Sequence, residues 1–278
     1  MNRISLYDRI HYTLTKNRRT EDFYRGVYEK IRARYFDRRS DTLKIGPLTL
    51  PMLSHSAKPT REEAYYAMEI VDILYPGLFS RYHFSDEGPY EWGDVKIRPG
   101  AVVFDCGANL GIFSLFAAYR GAEVYAFEPI ADARRILHET ISLNPQFGKK
   151  IHVEPFAIGK DAGFAEFTVL EDTLVGSSMV LEQRGRKERA QVTTIDAFCA
   201  KRALKCDFIK ADIEGAERQM LAGAARTLKH DAPMLSVCTY HLKDDPVVLK
   251  NLVLEANPEY QFVERWKKFY AVCAGAKH

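Results

Sequence analysis

The stretch Val102-Val103-Phe104-Asp105-Cys106-Gly107-Ala108-Asn109-Leu110-Gly111 decides the fold. Val102 to Phe104 form an unbroken apolar run, as in a strand buried on both faces. Asp105 ends the run, and Gly107 and Gly111 permit a tight turn and close backbone approach to a ligand. Ile112, Phe113, Leu115, Phe116 and Tyr119 follow at helical spacing, with Gly121 where a helix would stop. A strand therefore runs through a glycine turn into a helix, a geometry that aims backbone N–H groups above the strand's carboxyl end.

The turn lacks the dinucleotide fingerprint, because Asn109 and Ile112 stand where its second and third glycines would fall. It also lacks the phosphate loop. An acid inside the first turn repels a pyrophosphate but suits a ligand with a cationic amino group, such as S-adenosylmethionine. The next strand, Glu123–Phe127, ends in Glu128-Pro129, and an acid at that place accepts both ribose hydroxyls of an adenosine.

Asp105–Gly111, then Ala126-Phe127-Glu128-Pro129, then Phe208–Glu217 together resemble the FkbM family of S-adenosylmethionine-dependent methyltransferases, over residues of about 90 to 240. The first motif alone is that of a methyltransferase, and the Ile209-Lys210-Ala211-Asp212-Ile213-Glu214-Gly215-Ala216-Glu217 segment narrows it to this family. The resemblance implies a hydroxyl acceptor on a sugar, glycan, lipid-linked glycan or natural product. It also implies a place for Tyr90 and Glu91 beside the cofactor, and a substrate-side position for the insertion carrying Ser177 and Ser178 and the basic residues Arg184, Arg186, Lys187 and Arg189.

Outward from this core, five strand candidates near 102, 123, 151, 207 and 234 alternate with helices. They predict an open α/β sheet of the class I, Rossmann-like methyltransferase type, mostly parallel, closed by an antiparallel pair at 260–264 and 268–273. Asp105, Glu128, Ala157, Asp212 and His241 then share the carboxyl rim, where such sheets bind ligands. Ala157 and Ile158 are expected against the adenine. Asp212 and His241 end adjacent strands and are the catalytic candidates, with His241 as general base and Asp212 orienting the acceptor. Tyr240 is a further substrate candidate. A divalent ion on Asp212, Glu214, His241, Asp244 and Asp245 is the alternative; Asp245 already reads as a helix cap, so no metal is assigned.

Several finer features follow from spacing. Asp132 is expected to cap the helix after Pro129, and one helix is expected to carry Met220, Leu221, Ala224 and Leu228. Residues 1–40 are basic, with Phe23, Val27, Ile31 and Tyr35 as an apolar helical stripe. That helix is expected to dock through the stripe, with contact to an anionic membrane or substrate as the alternative. Residues 42–50 suggest a hairpin around Gly46-Pro47. Thr60 with Glu63 forms a capping box before a helix expected to end at Pro76-Gly77. Residues 1–85 are expected to be a helical extension covering the site, and 86–278 the cofactor-binding domain.

Composition narrows the class further. At 278 residues, 46% hydrophobic and 28% charged, the chain has the make-up of a soluble globular protein. A net charge of +3 does not by itself argue for nucleic acid. Asp212-Ile213-Glu214-Gly215 stands where amino-methylating enzymes of DNA need Asn/Asp-Pro-Pro-Tyr/Phe, and Asn257-Pro258-Glu259-Tyr260 reads as a turn. No apolar run approaches the roughly 18 residues of a membrane helix, and no signal-peptide core is visible. Cys106, Cys199, Cys206, Cys238 and Cys273 lack paired spacing, so buried thiols in a reducing, cytoplasmic setting are expected. A non-catalytic S-adenosylmethionine-binding module and a methyltransferase for a non-hydroxyl acceptor are the rival functions.

Overall fold

The computed structural model describes residues 20–79, 87–169, 179–180 and 185–274. Two compact units divide the chain, Met1–Pro89 and Tyr90–His278.

In the first unit, helix α1 (Thr20–Tyr35) leads into a three-stranded antiparallel sheet of β1 (Phe36–Asp37), β2 (Thr42–Ile45) and β3 (Leu48–Pro51). The expected hairpin is β2–β3. The buried stripe of α1 is Tyr24, Tyr28 and Ile31: Ile31 is as expected, Tyr24 and Tyr28 lie one position from the expected Phe23 and Val27, and Phe23 is exposed. Tyrosine buries its ring while its hydroxyl finds a partner, here Tyr28 toward the Met52 sulfur at 3.8 Å, so a strict four-residue count that passes over Tyr24 and Tyr28 misplaces the face. Helix α2 (Arg61–Glu69) starts at the expected capping box: Thr60 Oγ1 accepts from the Glu63 N–H at 3.2 Å, and Glu63 Oε2 accepts from the Thr60 N–H at 2.8 Å. Instead of stopping at Pro76, the chain widens into a π-helical turn, Ile70–Leu74, and resumes as α3 (Tyr75–Phe79). Pro76 thereby lies within a continuous helical run, directly after the widened turn.

In the second unit, β4 (Val102–Cys106) runs through the glycine turn into α4 (Ile112–Tyr119), then β5 (Glu123–Phe127), α5 (Ala131–Ser142), α6 (Pro145–Gly148) and β6 (Ile151–Glu154). Next come β7 (Phe156–Ile158), β8 (Gly163–Val169) and β9 (Arg186–Thr193), which form a small separate sheet in the order β7-β9-β8. Helix α7 (Ile195–Arg202), β10 (Phe208–Ala211), α8 (Glu217–Ala222), α9 (Ala225–His230), β11 (Met234–Cys238), α10 (Asp245–Ala256), β12 (Tyr260–Arg265) and β13 (Lys268–Cys273) complete the chain. The seven-stranded sheet has the order β12-β13-β11-β10-β4-β5-β6, with β11, β10, β4, β5 and β6 parallel and β13 antiparallel to both neighbours. The fold is thus the expected open α/β sheet. Its topological switch lies between β4 and β10, because the chain builds outward from β4 on one side before crossing to the other.

Burial on both faces explains the apolar strands. Phe104 sits edge-on to Tyr125, Phe127 and Phe198 at 5.4–5.7 Å, within a core that also holds Ile209, Leu235, Leu221 and Leu249. On the opposite face Phe208 packs on Phe113 of α4 at 6.2 Å. All five cysteines are free and buried.

Four local expectations are corrected. The helix carrying Met220 to Leu228 is two helices, because the Gly223 carbonyl accepts from Asp196 N–H instead of continuing the ladder, and the Asp196 carboxylate caps α9 through Arg226 and Thr227 N–H. Strand β9 begins at Arg186, so Arg186, Lys187 and Arg189 lie on a strand: Arg186 meets Asp132 and Glu188, Lys187 meets Glu166, and Arg189 stacks on Phe164. Asp132 lies inside the first turn of α5 rather than at its N-cap. Asp245 is the first residue of α10, and its carboxylate accepts from Leu242 N–H and Arg218. The Asn257-Pro258-Glu259 stretch is a turn, with Asn257 Oδ1 accepting from Glu259 N–H.

Candidate functional site

The glycine turn is held from beneath. Gly107 has φ +78°, and a Cβ there would collide with the carbonyl of Asp212, so the β4 and β10 chain ends approach as only glycine allows. Gly111 has φ +85°, and a Cβ there would meet the Leu137 side chain of α5. Asn109 takes the left-handed conformation at φ +47°. These residues shape the backbone that faces the switch point.

Asp105 lies in the strand rather than the open turn, and its carboxylate is fully buried. It accepts from Ser114 at 2.6 Å and pairs with Lys210 at 3.1 Å. Lys210 also donates to the carbonyls of Cys106 and Gly107, at 3.4 and 2.5 Å. Burial alone would lower the Lys210 pKa, but Asp105 and then Asp212 outweigh it and raise it, so the ammonium stays charged. The acid expected to meet a ligand's amino group is thus paired with Lys210, which also holds the turn.

Glu128, at the end of β5, is 6% exposed. Its two oxygens accept from the N–H groups of Asn109 and Ile130, each at 2.9 Å. Burial pushes its pKa up to about 7 against those two hydrogen bonds and the nearby Lys210 and Arg134. A carboxylate offers about four lone-pair directions, so two remain for a diol. That acceptor set fits the ribose of an adenosine-bearing cofactor. Pro129 follows in the loop to α5. Ala157 and Ile158 are buried in two different clusters. Ala157 sits with Ile130, Ala133, Phe167 and Val192, and Ile158 sits with Phe104 and Ile195, so their side chains fill cores beside the rim.

The second half of the site gathers at the ends of β10 and β11. Asp212 is 19% exposed at its side chain. Its Oδ2 accepts from Tyr90 at 2.7 Å and its Oδ1 from Tyr240 at 3.3 Å. The ammonium nitrogens of Lys210 and Lys268 stand 5.2 and 4.4 Å from the centroid of the Tyr90 ring. Burial opposes ionisation of Asp212, but His241, Lys210 and Lys268 prevail and hold its pKa at about 2.

His241 is not placed as a free base. Its side chain is 3% exposed and enclosed by three carboxylates: Glu217 stands 3.0 Å from Nδ1, while Glu214 and Asp212 stand 3.4 and 3.5 Å from Nε2. Burial disfavours its charge, yet Glu217, Asp212 and Glu214 lift its pKa to about 9. Both ring nitrogens of the expected base thus face carboxylates of its own chain.

Glu91 is drawn away from this cluster: it accepts from Ile97 N–H at 2.7 Å and faces Arg120 beyond the far end of α4. Asp244 and Asp245 are both bonded to Arg218. Tyr240 is at the rim, with its ring 4.2 Å from that of His241. Ser177, Ser178 and Arg184 lie outside the described residues. Sequence reasoning passed over Lys210, Glu217 and Lys268. Lys210 had a signal, since a lysine inside a buried strand requires a carboxylate opposite. Glu217 carries the turn after β10, its carboxylate accepting from Ile213 and Gly215 N–H at 2.9 and 3.0 Å. It thereby holds Glu214 at φ +53°, unusual for a residue with a side chain.

Comparison with known proteins bears on this arrangement. The methyltransferase FkbM domain model matches residues 105–268, more than half of the chain. The 31-O-demethyl-FK506 methyltransferase FkbM of Streptomyces tacrolimicus is 28% identical over 162 residues, which are 46% of this chain and 61% of that protein. The AMB antimetabolite synthetase AmbE of Pseudomonas aeruginosa is 44% identical over 79 residues, 27% of this chain and 3% of that protein. The chain thus spans less than two thirds of either relative. A crystal structure of methyltransferase FkbM from Methylobacillus flagellatus KT has 20% identity and a TM-score of 0.49, covering 89% of this chain and 58% of that one. No helix among the described residues is long and apolar enough to cross a membrane.

Proposed function

Since this chain belongs to the FkbM methyltransferase family, we propose that it transfers a methyl group from S-adenosylmethionine to a hydroxyl of a sugar, glycan or natural-product acceptor. When bound, the cofactor supplies an electrophilic methyl on a sulfonium. The observation that carries the reading is the pair of strand-end carboxylates, Glu128 beside the glycine turn and Asp212 across the switch point, each buried or half-buried and each in register with the end of β4. The name of the Streptomyces relative, a methyltransferase of a 31-O-demethyl compound, supports oxygen as the acceptor atom.

In this reading Glu128 holds the ribose and backbone N–H groups of the turn line the cofactor. Asp212 accepts a hydrogen bond from the acceptor hydroxyl and aims an oxygen lone pair at the methyl carbon. The C–O bond forms as the S–C bond breaks, and the proton leaves the oxygen as positive charge builds there. A carboxylate already serving two phenols is a weak base, but it suffices for a proton acidified in that way. Tyr90 and Tyr240 fix the carboxylate's orientation.

The test is incubation of the full chain with S-adenosylmethionine and a panel of hydroxylated natural products and glycans, read by mass spectrometry. Asp212→Asn is expected to lose transfer by about 10²-fold or more while binding S-adenosylhomocysteine normally. Tight cofactor binding with no acceptor methylated across the panel would favour the non-catalytic module instead.

A further inference from the structure

Three carboxylates, Asp212, Glu214 and Glu217, converge on the His241 ring. Ligand atoms of Asp212, Glu217 and His241 lie within 4.8 Å of one another, and Glu214 faces the same ring. The His241 side chain is 97% shielded, by its 3% exposure, and neither ring nitrogen makes a hydrogen bond of proper geometry. A buried imidazole aimed into carboxylates without such a bond is the arrangement of a ligand awaiting an ion.

We propose that Asp212, Glu217 and His241 bind a divalent cation, with Glu214 at its edge. Mixed oxygen and imidazole donors favour a first-row ion such as Mn²⁺ over Mg²⁺ or Ca²⁺, which prefer all-oxygen sites. The exposures give the site a direction. Glu217 and His241, at 0% and 3%, close its back, while Asp212 and Glu214, at 19% and 25%, form its mouth. The non-glycine left-handed backbone at Glu214, braced by the Glu217 carboxylate, turns that mouth toward Nε2. Asp212 is also the residue assigned above to the acceptor. On that reading the ion lies beside the reacting oxygen, where it would acidify a hydroxyl.

The test is uptake of Mn²⁺ by the full chain without methyl donor, followed by loss of the free-ion EPR signal, so that it stands or falls apart from the methyl-transfer reading. One ion per chain is expected, with His241→Ala and Asp212→Asn each weakening uptake by about 10–100-fold. Asp244→Asn, outside the cluster and bonded to Arg218, should bind as the parent does. Binding of S-adenosylhomocysteine by calorimetry checks that each variant is folded. Should His241→Ala fail that check, Mn²⁺-induced broadening of the His241 ring signals in the unaltered protein gives the same answer. No uptake at millimolar Mn²⁺, or uptake equal in all variants without broadening of that ring, overturns the proposal and leaves His241 as an imidazolium counter-ion.

Discussion

Glu128→Gln is the substitution whose outcome the structure determines most fully. The carboxylate accepts two backbone N–H groups, from Asn109 and Ile130. A glutamine has one acceptor oxygen, so its amide NH₂ must face the second N–H. That leaves a buried donor unsatisfied, at a cost of about 1–3 kcal/mol. The ionic state adds a pH dependence. Burial raises the Glu128 pKa from an ordinary 4.5 to about 7, so the folded protein holds this proton more tightly than the unfolded chain does. Its contribution to stability is therefore complete below pH 4.5 and is lost as pH rises through 7, in total about 3 kcal/mol. Glutamine removes this term, so the variant should be most destabilised in acid and retain only the hydrogen-bond cost of about 1–3 kcal/mol above pH 8.

Ligand binding should show the opposite trend. Ribose hydroxyls donate to the ionised carboxylate, so affinity for S-adenosylhomocysteine should reach a plateau above pH 7 and fall about tenfold per pH unit below it, with a proton released on binding. Glu128→Gln should bind about 10–100-fold more weakly at pH 8 and lack this slope. Calorimetry of both proteins from pH 5.5 to 8.5 is the assay, and the difference between the curves cancels the ligand's own titration. A flat profile in the parent, or parallel profiles in the two, would refute the assignment of Glu128 to the ribose.

Other substitutions test other parts. Gly107→Ala meets both a positive φ and the Asp212 carbonyl, so denaturant unfolding should show a loss of roughly 2–5 kcal/mol; a loss under 1 kcal/mol would mean the two chain ends can part. Tyr90→Phe removes the 2.7 Å hydrogen bond to Asp212 and should lower kcat/KM about tenfold or more with S-adenosylhomocysteine affinity unchanged, whereas equal effects on both would place Tyr90 on the cofactor. Thr60→Ala opens the capping box of α2 and should cost about 1 kcal/mol in thermal unfolding, an unchanged melt counting against the cap.

What the sequence revealed divides by range. The β4 turn and α4 are legible because their causes are local: an apolar run, two glycines and a helical repeat. The capping box is local too. The π-helical turn at Ile70–Leu74 is not, since Pro76 reads as a stop unless one knows that the packed face continues past it. The same holds for the break between α8 and α9, caused by Asp196 from another helix. His241 was expected after β11 as a general base, and its enclosure by three carboxylates was not expected. Its position follows from strand length, but its protonation depends on Glu214 and Glu217, whose side chains turn back only because of the bend after β10.

Lys210 shows why two distant segments belong to one motif. Parallel pairing sets Phe208 beside Val103 and therefore Lys210 beside Asp105, on the same face of the sheet. A lysine 4% exposed is tolerable only with a counter-ion, and a buried aspartate equally needs a cation. Each residue is thus the condition for the other, and a shift of register by one residue would turn both into opposite faces and strand two charges. The same ammonium reaches the carbonyls of Cys106 and Gly107, so the ion pair that fixes the strand register also fixes the glycine turn. One residue beyond Ala211 the chain delivers Asp212, and its backbone carbonyl closes against Gly107. The aspartate of the first segment and the lysine of the second therefore act as architecture, and their pairing is what brings Glu128 and Asp212 to the two sides of one turn.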